Sequence, residues 1–215
     1  MGSLKAEIAV MRLDIEESQS EEVRKLLQRS SQRLAESGLL DSAIGVGEQF
    51  PHFSLPNAGG DAISSEDFLS RGPLVVCFYR GGWDPYCNLE LRAYQAILDE
   101  IRELGADFVA ISPQLPDESV NMAAKANLSF EVLTDMGNSL AEHLGLSHEL
   151  APAVVDLYRS MGYDLERING VTRWALPVPA TYVVDTKGVI VEAFIQADYT
   201  LRLEPARVLE ILKTL

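Results

Sequence analysis

The chain has 215 residues, 47% hydrophobic and 23% charged, with 18 basic against 32 acidic side chains and a net charge of −14. A chain of that length and apolar content folds around a sizeable core, which excludes disorder throughout. The acidic excess, with no Lys/Arg cluster to offset it, argues against nucleic acid and anionic lipid as ligands.

Residues 1–44 are polar. Val23, Leu26, Leu27 and Leu34 follow an i, i+3, i+4, i+11 spacing, so one amphipathic helix is expected there. Ser18 and Glu21 have capping-box spacing for its start, and Gly38 is the expected stop. Two roles stay open for this extension, an accessory helix packed on the main domain or a dimerisation element. The texture changes near Phe50, placing the division at 1–44 and 45–215.

Residues 50–55 and 62–63 read as two short extended pieces around a Gly-rich turn, followed by a short helix capped by Ser64 or Ser65. Leu74–Tyr79 is an apolar run of strand length, suited to a central strand covered on both faces. With Pro73 it forms the longest apolar run, far short of the roughly 18 residues of a membrane helix. After Arg80-Gly-Gly-Trp83 a helix is expected from Pro85 to about Leu104, stopped by Gly105. Its apolar residues Cys87, Leu91, Tyr94, Leu98 and Ile101 lie on one face.

The alternation continues with a strand at 107–112, a helix at 117–126, a strand at 130–133 and a helix at 138–144. Residues 147–176, with a helical piece and a loop, break the rhythm as an insertion. Strands at 180–184 and 189–195 joined by Asp185-Thr-Lys-Gly188 form a hairpin, and a helix from Glu204 closes the chain. This order predicts an α/β mixed sheet flanked by helices, with parallel strands in front and a β-hairpin behind.

Two cysteines, Cys77 and Cys87, are too few for a disulfide framework, and the first twenty residues lack a signal-peptide layout. A reducing, cytoplasmic location is therefore expected. Residues 83–87 fall on the first turn of a helix leaving a central strand. Pro85 suits the first helical position, which makes Asp84 the cap, where the helix dipole favours an anion. Cys87 lies one turn on. The dipole lowers a thiol pKa there and the nearby carboxylate raises it, so a sluggish, protonated thiol is expected. Cys77, in the middle of an apolar strand, reads as core packing.

The segment Phe78-Tyr-Arg-Gly-Gly-Trp-Asp-Pro-Tyr-Cys-Asn-Leu-Glu-Leu-Arg92 resembles the active-site segment of thioredoxin-fold, peroxiredoxin-like proteins of the AhpC/TSA family, in the branch written Gly-Gly-Trp-Cys-Pro-Tyr-Cys. Further similar stretches are Val109-Ala-Ile-Ser-Pro113, Leu176-Pro-Val-Pro-Ala-Thr-Tyr-Val-Val-Asp185 and Asp198-Tyr-Thr200. The resemblance covers roughly residues 45–215. It implies a thioredoxin-like fold and a thiol-dependent peroxidase or disulfide oxidoreductase with antioxidant chemistry. Its substrate would be a peroxide or a disulfide, and its reductant a thioredoxin-like protein or a small thiol. It implies no cofactor and no metal. His52, His143 and His148 lack metal-ligand spacing and read as surface or packing residues.

By the same resemblance Asp84 stands at the nucleophile position, Cys87 at the resolving position, and Pro179 where the fold places a cis-proline. A basic group is expected beside the anion, with Arg80, Arg173 and Arg202 as candidates and Arg80 first. Trp83 and Tyr86 are expected to wall the pocket together with Pro179 and Arg202. A carboxylate cannot attack a peroxide and become a sulfenic acid. Asp84 therefore leaves three explanations open: an engineered Cys→Asp exchange that imitates the anionic or over-oxidised state, a natural non-catalytic binding or sensor module, or simply a good helix cap. A homodimer is expected, with Cys87 available in a further alternative for an intermolecular disulfide or a metal ligand.

Overall fold

The computed structural model describes residues 2–116, 118 and 127–215. Its centre is a five-stranded mixed sheet. β1 (Ser54–Pro56) and β2 (Ala62–Ser64) form a small separate ribbon, paired Leu55 to Ile63. α3 (Ser65–Leu69) leads to β3 (Leu74–Phe78), then α4 (Pro85–Ala96), α5 (Leu98–Glu103), β4 (Asp107–Ser112) and β5 (Glu131–Thr134). α6 (Ser139–His143), β6 (Ser147–Glu149), α7 (Pro152–Ser160), α8 (Leu165–Asn169) and β7 (Ala175–Pro177) follow. β8 (Ala180–Val184), β9 (Ile190–Ile195) and α9 (Pro205–Leu212) complete the fold. The strand order is β5-β4-β3-β8-β9. β3 runs parallel to β4 and antiparallel to β8, which pairs antiparallel with β9. The expected parallel half and rear hairpin are both present.

Every residue of β3 is buried because its two faces serve two cores. Val75 and Cys77 join Leu91, Tyr94, Ile101 and Val208 from α4, α5 and α9. Leu74, Val76 and Phe78 point the other way, to Phe50, Phe68, Leu140 and Leu144. A continuous apolar run is what a strand covered on both faces requires.

Three expectations need correction. The N-terminal segment is two helices, α1 (Leu4–Ser18) and α2 (Glu21–Glu36), and Ser18 ends the first instead of starting the second. Gln19 is extended, and Ser20 caps α2 by accepting from the Val23 N–H at 3.3 Å. The helix expected over 85–104 is broken at Ile97, whose N–H bonds to the Tyr94 carbonyl, three residues back, and tightens the chain there. Residues 50–53 are not strand. The helix expected over 117–126 lies, Glu118 apart, outside the described residues.

α1 buries Leu4 and Ile8 against Tyr86 and Leu89 of α4. Its first backbone N–H groups, of Leu4 and Lys5, donate to the Glu204 carboxylate at 3.2 and 2.6 Å. α2 has no fully buried residue; its Leu26 and Leu27 pack against the cluster of Leu150, Val154, Tyr158 and Leu176. Among the described residues no helix is long and apolar enough to cross a membrane.

Candidate active site

The site sits where β3 gives way to α4. Gly81 has φ 139°, a conformation L side chains rarely adopt, and a Cβ there would lie 2.5 Å from Trp83 Nε1. The turn is pinned on both sides. Gly82 N–H donates to Gln114 Oε1 at 2.8 Å, and Asn88 Nδ2 donates to the Gly82 carbonyl at 2.8 Å. Asp84 then caps α4, with Pro85 at the first helical position.

Asp84 is 1% exposed. Its Oδ1 accepts from the Tyr86 N–H at 2.9 Å, and its Oδ2 from Arg80 Nη1 at 3.0 Å. A carboxylate this deeply buried is tolerated only with such partners. Arg80 is buried too, and donates to the Tyr158 hydroxyl. Its guanidinium carbon lies 4.4 Å from the Tyr199 ring centre and 4.9 Å from that of Trp83, within reach of cation–π attraction. Burial works against the charge on Arg80, but Tyr158 and Asp84 outweigh it and hold its pKa above the ordinary arginine value.

A second buried ion pair lies beneath the first. Arg202 Nε donates to Glu90 Oε2, and Arg202 Nη2 donates to Cys87 Sγ at 3.3 Å. The Arg80 backbone N–H also points at Cys87 Sγ, at 3.5 Å. Burial, followed by the Asp84 charge, pushes the Cys87 thiol up to about 12 despite Arg202. Burial raises the Glu90 carboxyl as well, opposed by Arg202. Cys77 is buried and its thiol is pushed up by burial, as its core position implies.

The candidates named from the sequence separate clearly. Arg80, Asp84, Cys87 and Arg202 converge, and Tyr86 packs edge-on against Tyr199 at 5.8 Å beside them. Trp83 lies against Tyr158 and Tyr163. Pro179 borders the space over Arg80. Arg173 is elsewhere, bridging Glu142 and Glu149 on the surface. The cis-proline implied by resemblance is not found: no described peptide bond is cis, and Val178–Pro179 is trans, the intrinsically favoured form for X–Pro. Val178 N–H is held by the Leu146 carbonyl at 2.8 Å.

Sequence reasoning missed Tyr158, Tyr199, Glu90 and His148. Tyr158 arrives from the 147–176 insertion, which had no expected role. His148, read as a surface or packing residue, borders the same space as Arg80, and burial with the Arg80 charge pulls its pKa down to about 4. Tyr199 was legible within the Asp198-Tyr-Thr200 stretch. Among the described residues no group of three or more His, Cys, Asp or Glu is placed to hold a metal ion.

The sheet, the helix leaving its central strand and the buried site at that junction define a thioredoxin-like fold of the peroxiredoxin type. Peroxidoxin BcpB from Mycobacterium tuberculosis superimposes with a TM-score of 0.63 at 20% identity, over 80% of this chain and 98% of that one. Xanthomonas campestris Peroxiredoxin Q gives a TM-score of 0.60 at 20% identity, over 79% and 97%. A model of the AhpC/TSA family matches residues 46–193, and the chain belongs to that family. Peroxiredoxin Q, chloroplastic, of Populus jackii is 29% identical over 147 residues, 68% of this chain and 58% of that protein. Peroxiredoxin Bcp of Escherichia coli (strain K12) is 30% identical over 101 residues, 47% of this chain and 64% of that protein. The chain thus matches less than two thirds of the length of these relatives.

Proposed function

We propose that the site is that of a thiol-dependent peroxidase of peroxiredoxin type in which Asp84 occupies the place of the nucleophilic cysteine. The observation that carries this is the position of the Asp84 carboxylate: at the cap of α4, on the Arg80 guanidinium, one helical turn from Cys87. A thiolate at that position would meet the same guanidinium and the same helix end, both of which favour an anion. Its sulfur would attack one peroxide oxygen and break the O–O bond. Sulfenic acid forms, and water or an alcohol leaves. The Cys87 thiol would then displace water from the sulfenic sulfur to close a disulfide, which an external dithiol reduces. Asp84 supplies the charge without the sulfur, so the chain as given holds the site in its anionic state and does not turn over peroxide.

The redox chemistry belongs to residues 45–215 in this assignment, with 1–44 appended. Its partners are a peroxide or disulfide and a thioredoxin-like or small-thiol reductant, in the cytoplasm. The expected homodimer is part of the same proposal, with Val10 and Leu13, each 61% exposed on α1, as the apolar side chains it would cover. Cys87 is 0% exposed, which argues against its bonding a second copy or a shared metal ion without opening of the site. A second reading, a non-catalytic binding module, draws on the complete pairing of Asp84 in the folded chain. Hydrogen peroxide consumption with a thiol reductant separates the two. The peroxidase reading expects no turnover for this chain and turnover for the Asp84→Cys variant. An inert, folded Asp84→Cys protein leaves the binding module.

A further inference from the structure

The Arg80 guanidinium is held at both of its ends. Nη1 donates to Asp84 Oδ2 at 3.0 Å, and Nη2 donates to the Tyr158 hydroxyl. Among the described residues these are the hydrogen-bond acceptors of the guanidinium. The ring centres of Tyr199, Trp83 and Tyr158 lie 4.4, 4.9 and 5.5 Å from its carbon. A ring face attracts the cation without choosing between its nitrogens, whereas a hydroxyl oxygen takes one N–H along a defined direction. Because the guanidinium is a rigid plane, the bond at Nη2 fixes where Nη1 points.

The hydroxyl that takes Nη2 is itself anchored from outside the β3–α4 turn. Tyr158 lies near the end of α7 and is buried. Its ring stands edge-on to Trp83 at 5.3 Å and to Tyr163 at 6.1 Å, in the cluster of Leu150, Val154, Leu165 and Leu176. The Tyr158 carbonyl accepts from the N–H groups of Met161 and Tyr163 at 3.1 and 2.9 Å, which closes the helix end around it. Residues 147–176, which break the alternation of strand and helix, thus reach the charge beside position 84.

We propose that Tyr158 is a positioning residue: by accepting from Nη2 of Arg80 it aims Nη1 at the side chain of residue 84. The inference rests on the peroxidase reading of the site. An N–H directed at a thiolate favours the ionised nucleophile, and a guanidinium free to turn away favours it less.

Tyr158→Phe in the Asp84→Cys background tests this, because it removes one oxygen and keeps the ring against Trp83 and Tyr163. Two pH profiles report ionisation of the thiol at position 84: kcat/KM for hydrogen peroxide, and the rate of iodoacetamide alkylation at that position, located by peptide mass. Tyr158→Phe is expected to raise the midpoint of both by about one pH unit, so that kcat/KM below the midpoint falls about tenfold. Tyr163→Phe removes a neighbouring hydroxyl that Arg80 does not use and is expected to leave both midpoints in place. An active Asp84→Cys protein whose midpoints ignore Tyr158→Phe overturns the inference alone, even if kcat/KM falls, and so does an equal shift in Tyr163→Phe. In the unsubstituted chain, NMR is expected to show separate resonances for the two Nη nitrogens of Arg80, since bonds at both ends stop the guanidinium from turning. A single averaged resonance overturns the inference even if Tyr158→Phe does not fold. An Asp84→Cys protein that is alkylated at position 84 but leaves peroxide unconsumed overturns the peroxidase reading, and with it the role of Tyr158 in the reaction.

Discussion

Arg80 Nη1 lies 3.0 Å from Asp84 Oδ2, with the two side chains only 6% and 2% exposed. Two residues four apart, one on either side of a Gly-Gly turn, thus place a cation and an anion together in the interior. Removing one member leaves the other charged and uncompensated. Arg80→Met is expected to lower stability by about 3–5 kcal/mol, read as a reduced midpoint in urea unfolding at unchanged slope. A loss below about 1 kcal/mol, the range of exposed pairs, would contradict the buried geometry.

The Cys87 thiol is pushed up to about 12, first by burial and then by Asp84. Thiolate absorbance followed against pH should show no titration of Cys87 below pH 9, and a thiol-reactive dye should leave both cysteines unlabelled in the native protein near neutral pH. Rapid labelling of Cys87 under native conditions would refute this.

His148 carries a pH dependence of definite sign. Its pKa falls from 6.5 to about 4 on folding, because burial and the Arg80 charge disfavour the imidazolium. The unfolded chain binds the extra proton first, so the contribution is present above pH 6.5 and lost as the pH falls through about 4. Between pH 7 and pH 4 the chain should lose about 2–3 kcal/mol more stability than His148→Gln does. Parallel pH profiles for the two proteins would show that His148 is not held neutral by its surroundings.

The sheet was legible in the sequence because its strands are continuous apolar runs: β4 and β8 fall at the expected residues, and the hairpin follows from Asp185 and Gly188, whose φ is 80°. α1 left a signal that was not read, since Leu4, Ile8, Met11 and Ile15 share an i, i+4, i+7, i+11 spacing. At the site, Arg80, Asp84 and Cys87 are local to one turn and could be placed from spacing alone. Tyr158 lies 78 residues from Arg80 and Glu90 lies 112 from Arg202, so no local pattern joins them. Glu90, in addition, looks like one more acid on an amphipathic helix until its burial is seen. The packing of Leu26 and Leu27 of α2 on Leu150, Val154, Tyr158 and Leu176 is a tertiary contact of half-buried side chains, which helical periodicity cannot assign to a partner.

The central claim is that position 84 is the nucleophile position of a two-cysteine redox site. Peptide mass spectrometry of the Asp84→Cys variant after one equivalent of hydrogen peroxide tests it most directly. The expected product is a peptide in which the thiol at position 84 is joined to Cys87, with the loss of two hydrogens, and with Cys77 still free. Peroxide left unconsumed by the folded variant, or oxidation at Cys77 with positions 84 and 87 unlinked, would contradict the claim.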